Sequence, residues 1–250
     1  MSRVGSSRGA ASALAPLLWT ALVAPLGSAQ GPPLTTRLAP LPAGRVQLTI
    51  TNNSQQPITA FAIYTVFGPQ ARSIRIVDSL INRGFDREVM PGDTQRFVFG
   101  GVVRLGVAVP PQKITLEAAV FADGSTFGDP QWIQAITRNR KTVYQNYATA
   151  LRELQSARAS KQTRGQIVGR FTALKEEALH CGGSGCDGAI GHYLTGNAAI
   201  PFQYVIANLA YPNMGGGRRA PLNTITQILI SQIQVVMLRM RQARPPVTTP

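Results

Sequence analysis

The sequence predicts an α+β fold, in which an N-terminal antiparallel β-sandwich of immunoglobulin-like type precedes a C-terminal helical region of about four helices. Three observations predict it. Residues 45–128 hold short apolar runs, alternating or β-branched, divided by turn residues and lacking a helical period. At Asp129 and Pro130 the pattern changes to helical spacing, which recurs to residue 243. Ahead of both stands a segment with the character of an export signal rather than of a fold.

That first segment, residues 1–29, has a basic start (Arg3, Arg8), the apolar run "ALAPLLWTALVAPLG", and the small residues "GSA" before Gln30. A bilayer span needs about 20 mostly apolar residues, and this run is short and broken by Pro16 and Pro25. The expectation is a cleaved signal peptide, a mature chain from Gln30, and an exported protein, periplasmic or extracellular. Residues 30–44 read as a linker.

Residues 45–128 carry the strands. Val46, Leu48 and Ile50 alternate with Gln47, Thr49 and Thr51, the chain turns at "NNSQQP", and Ile58, Phe61, Ile63, Thr65 and Phe67 continue the apolar run. "SIRIVDSL" and "TQRFVFGGV" flank "MPGD", where Pro91 and Gly92 suit the centre of a tight turn, and "KITLEAAVFADGSTFGD" supplies the last strand. The expected core is Val46, Leu48, Ile50, Phe61, Ile63, Phe97, Phe99, Leu116, Ala118 and Val120, without the inter-sheet cysteines of antibody domains.

Residues 129–243 carry the helices. Asp129 suits an N-cap and Pro130 the first helical position, where a missing N–H costs nothing. Trp132, Ile136, Val143, Tyr147, Ala150 and Leu154 share one side of this helix, and Arg138, Lys141 and Arg152 share the other. A second helix runs from about Thr163 to Leu179, a third opens near Pro201, and a fourth spans "PLNTITQILISQIQVVMLRMRQA". The fourth has a stripe at Leu222, Ile225, Leu229, Ile233, Val236 and Met240, with Ile228, Val235 and Leu238 elsewhere, so central burial or a partner is expected. Asn223, Gln227, Gln232 and Gln234 argue against a membrane span. Residues 244–250 read as a disordered tail.

"TITNNSQQPITAFAIYTVFG", "MPGDTQRF" and "AVFADGSTFGDP" leading into an Arg-rich helix resemble a type of exported bacterial protein in which a small immunoglobulin-like domain precedes a helical segment. The resemblance covers about residues 45–160. It implies that architecture and assigns no catalytic residue.

Charge narrows the partners. The chain has 25 Lys and Arg against 11 Asp and Glu, and loss of the signal removes only Arg3 and Arg8. Such an excess favours an anionic envelope surface or polysaccharide, or a protein partner of complementary charge. No run of five basic residues, RNA-binding aromatic motif or zinc-finger spacing is present, so nucleic acid is not the expected partner. The candidate anion contacts are Arg138, Lys141 and Arg152 on the first helix, with Arg218 and Arg219 in "NMGGGRR", a loop able to offer backbone donors.

"HCGGSGCDGAIGHY", 180–193, holds both cysteines and both histidines. In an exported chain, Cys181 and Cys186 around a glycine-rich spacer predict a local disulfide. The alternative is a zinc site of Cys181, Cys186, His192 and His180, although this spacing is not a common ligand pattern. Ser184 in "GGSGC" lacks the last glycine of a nucleophile elbow. Asp123 and Asp129 could form an acid and base pair, but turn and N-cap chemistry account for both. The functional expectation is an exported, non-catalytic binding or structural module without a cofactor. The alternatives are an exported hydrolase using the His, Cys and Asp cluster, with or without zinc, and a basic polyanion-binding protein.

Overall fold

Two antiparallel sheets make up the N-terminal part. Strands β1 (Leu34–Leu41), β2 (Arg45–Asn52) and β5 (Thr94–Phe99) form the first, in the order β1-β2-β5. Strands β3 (Ile58–Val66), β4 (Arg72–Asp78), β8 (Lys113–Phe121) and β9 (Thr126–Gly128) form the second, in the order β4-β3-β8-β9. A separate hairpin pairs β6 (Val102–Arg104) with β7 (Val107–Val109). The computed structural model describes residues 32–67, 71–81, 87–100, 102–104, 107–180, 196–210 and 220–243, with the backbone alone for 102–104 and 107–109. The expected signal peptide at 1–29 and tail at 244–250 lie outside the described residues.

The sheets share one apolar core. Leu48, Ile50, Phe97 and Phe99 of the first meet Phe61, Ile63, Val77 and Phe121 of the second, with the Phe61 and Phe97 rings edge to face at 5.4 Å. Burial of each such side chain stabilises the fold by roughly 1.5–3 kcal/mol. The turn at Met90–Asp93 closes as its sequence requires: the Asp93 N–H donates to the Met90 carbonyl, and Gly92 takes a φ of 81°. Asn52, fully buried, organises the "NNSQQP" loop by donating to the carbonyls of Gln56 and Val89 and accepting from Ser54.

Two sequence expectations need correction. Residues 34–41 are not linker but the edge strand β1, paired with β2 from Leu34↔Asn52 to Leu41↔Arg45. Most of its side chains are exposed, so alternation is invisible, and an edge strand tolerates Pro40. Ala118 and Val120 belong to a second apolar layer rather than to the inter-sheet core. The β3–β8 register passes from Ala62↔Ala118 to Ile63↔Leu116, skipping Glu117. This bulge reverses which face each side chain takes, so Ile114 and Leu116 share a face with Ala119 and Phe121.

Helix α1 (Pro130–Ala159) covers the other face of the second sheet. The Asp129 carboxylate accepts from the Gln131 N–H at 2.7 Å, with Pro130 at the helix start. Ile133 and Ile136 then pack on Ala60, Ala62, Ile76, Ala118 and Val120, where small residues let helix and sheet approach closely. Trp132 lies at the border, its ring 6.3 Å from that of Tyr64.

The rest of α1 is the spine of the helical region. Helix α2 (Arg164–Leu179) begins with a capping box in which Thr163 and Gln166 satisfy each other's backbone N–H groups. Helices α3 (Ile200–Ala210) and α4 (Leu222–Gln242) complete the packing. Val143, Tyr147, Ala150 and Leu154 of α1 share a core with Ile167 and Phe171 of α2, Phe202, Val205 and Leu209 of α3, and Leu229, Ile233 and Met237 of α4. Central burial of α4 does not hold: Ile228, Val235 and Leu238 are 50%, 47% and 54% exposed. Among the described residues no helix is long and apolar enough to cross a membrane.

Candidate functional site

The basic side of α1 forms as its spacing predicts. Arg138, Lys141 and Arg152 are all exposed, on the side of the helix away from the buried Ile136, Val143, Tyr147 and Leu154. At 1.5 Å per residue they span about 21 Å of helix. None of the three is within ion-pair distance of a carboxylate among the described residues. Arg152 donates to the Thr149 hydroxyl at 3.2 Å and makes a minor electrostatic contribution at Glu153 without pairing with it. Two carboxylates of the helical region, Glu153 and Glu176, are already engaged. Glu153 accepts two bonds from Arg170, which hold its carboxyl below the usual range, and Glu176 meets Lys175 at 2.7 Å.

Other expected site residues fare differently. Arg218, Arg219, Cys181, Cys186 and His192 lie outside the described residues, so the glycine-loop anion contact and the zinc alternative have no described geometry. The expected Cys181–Cys186 disulfide is withdrawn: no disulfide is found among the described residues, and both cysteines lie outside them. A bridge needs Cα atoms within about 7 Å and converging Cβ vectors. His180 is the C-cap of α2, exposed, with its backbone N–H on the Glu176 and Glu177 carbonyls. Among the described residues no three His, Cys, Asp or Glu side chains are grouped to hold a metal ion. Asp123 accepts from the backbone and hydroxyl of Ser125 in a turn, and Asp129 caps α1, which are the structural roles expected of them.

Sequence reading missed a cavity of about 390 Å³ between α1, the end of α4 and the segment after β4. Leu80, Tyr144 and Met240 give it an apolar wall, and the exposed Lys141 and Arg241 also line it. The Arg241 guanidinium lies over the Tyr144 ring at 5.6 Å and donates to its hydroxyl. Arg140 also borders the cavity, but its charge is met by Asp78, at 2.8 and 3.2 Å, and its Nη2 donates to the Thr59 hydroxyl at 3.0 Å. The only local sign was the position of Tyr144, off the main apolar stripe of α1; its neighbours come from 60 to 100 residues away in the chain. Compared with known proteins, the chain matches no family model, no curated protein and no solved structure.

Proposed function

We propose that the protein is an exported, non-catalytic binding module of the bacterial envelope or extracellular space, with an immunoglobulin-like β-region as scaffold and the basic side of α1 as contact surface for a polyanion. One observation carries the reading: Arg138, Lys141 and Arg152 share an exposed side of one helix, and none is within ion-pair distance of a described carboxylate. Three aligned cations on a rigid helix suit a repeating anion such as an acidic polysaccharide or an anionic envelope surface.

The strand order supports the immunoglobulin-like reading of the scaffold. Three strands face four, and the chain crosses between sheets from β2 to β3 and from β4 to β5, the connectivity class of such sandwiches, with the β6–β7 hairpin as an addition. The reading is tested by retention on a heparin matrix as salt is raised. Attraction between exposed charges is screened over about 8 Å at physiological ionic strength, so retention should fall steeply. Retention that ignores salt contradicts it.

A further inference from the structure

We infer that the cavity between α1 and α4 is a second binding site, for a small organic anion with an apolar body, such as a medium-chain carboxylate. Its volume of about 390 Å³ falls within the range of small-molecule sites, and its composition divides in two. Leu80, Met240 and the ring of Tyr144 offer apolar contact to a hydrocarbon body. Lys141 and Arg241 offer charge, and no carboxylate among the described residues lines the cavity.

The local balance of charge selects an anion. Asp78 already neutralises Arg140 through a bidentate pair, so Arg140 acts as a fixed wall. Lys141 and Arg241 have no carboxylate partner among the described residues. Arg241 is preorganised, because its Nε donates to the Tyr144 hydroxyl and its plane is held above the ring, which leaves its terminal nitrogens for a ligand. A purely apolar ligand would leave two cations unmatched, and a bare inorganic anion would leave the apolar wall uncovered.

This site shares Lys141 with the polyanion surface but otherwise rests on different residues, so the two readings fail separately. Titration of the full chain with octanoate, octanol and inorganic phosphate, followed by ligand-detected NMR, tests it. Octanoate is expected to bind at least about tenfold more tightly than either control, a difference of about 1.4 kcal/mol. Met240→Trp, which fills the cavity, should abolish octanoate binding, and Lys141→Ala and Arg241→Ala should each weaken it severalfold. Ala243→Leu, at the half-buried end of α4, gives a second way to fill the space if Met240→Trp does not fold. Arg138→Glu with Arg152→Glu should leave octanoate binding unchanged while lowering heparin retention, and Met240→Trp should do the reverse. Equal binding of octanol or phosphate, or undiminished octanoate binding in both filled variants, overturns the inference.

Discussion

The Arg140 guanidinium meets both carboxylate oxygens of Asp78, and this pair joins the helical region to the β-region almost wholly out of water, with side chains 12% and 0% exposed. A bulge in β3 makes the junction. The β3–β8 register skips Thr59, and the displaced residue offers its hydroxyl to Arg140 and its carbonyl to Ser79. A buried pair of this kind is weak evidence of net stabilisation, yet breaking it strands a charge. Asp78→Ala should therefore cost about 3–5 kcal/mol. Urea unfolding would measure this, and a loss below about 1 kcal/mol would show that water reaches Arg140.

Gly128 marks the second point of attachment. Its φ is 101°, and a Cβ there would collide with the Glu117 carbonyl oxygen and lie 2.8 Å from the Ala118 Cα. The bulge at Glu117 leaves that carbonyl to accept the Asp129 N–H, so strand end and helix start share one cramped corner. Gly128→Ala should destabilise by at least about 2 kcal/mol. Gly169→Ala, in α2 with open space around it, should stabilise by about 0.5–1 kcal/mol. Thermal unfolding of the two variants should move in opposite directions.

Tyr147 governs the alkaline limb of stability. Burial, with a smaller contribution from Tyr204, pushes its hydroxyl up to about 12 from 10.0. The folded state thus keeps a proton that the unfolded chain releases near pH 10. Its stabilising effect is whole below that pH and is lost as pH rises towards 12, a change on the order of 2 kcal/mol. Tyr147→Phe should flatten the decline between pH 10 and 12, as measured by urea unfolding. An unchanged slope would mean that Tyr147 ionises freely in the folded protein.

Asn139 is a buried exception on α1. It is 1% exposed, and neither its amide nitrogen nor its amide oxygen has a hydrogen-bond partner among the described residues. An unsatisfied buried polar group costs about 1–3 kcal/mol, so Asn139→Leu, of similar size, should be neutral or stabilising. A loss of more than about 1 kcal/mol in the unfolding free energy would reveal a polar partner for this amide.

The contrast between α1 and the sheets explains what could be read from the sequence. Asp129, Pro130 and the stripe from Ile136 to Leu154 act locally, so the start of α1 and both its sides were legible. Its basic residues were legible for the same reason. The bulges at Thr59 and Glu117 arise from pairing between strands more than 50 residues apart, and they decide that Ala118 and Val120 face a helix. β1 was hidden because an edge strand with exposed side chains carries no alternation. The cavity was hidden because Leu80, Tyr144 and Met240 meet only through the packing of α4 on α1.

Charge reversal separates a binding surface on α1 from background charge. The triple variant Arg138→Glu, Lys141→Glu, Arg152→Glu is compared on heparin with Arg37→Glu, Arg72→Glu, Arg96→Glu, whose three arginines are exposed on β1, β4 and β5. Arg75 is unsuitable as a control because it lies over the Phe97 ring at 4.9 Å. Both triples change net charge equally, so only position separates them. The α1 triple is expected to lower the slope of log affinity against log salt by about 2–3, at slightly under one per lost contact, while the β-region triple changes it by less than about 1. Equal loss in the two variants would contradict it, leaving the positive charge as a property of composition rather than of a surface.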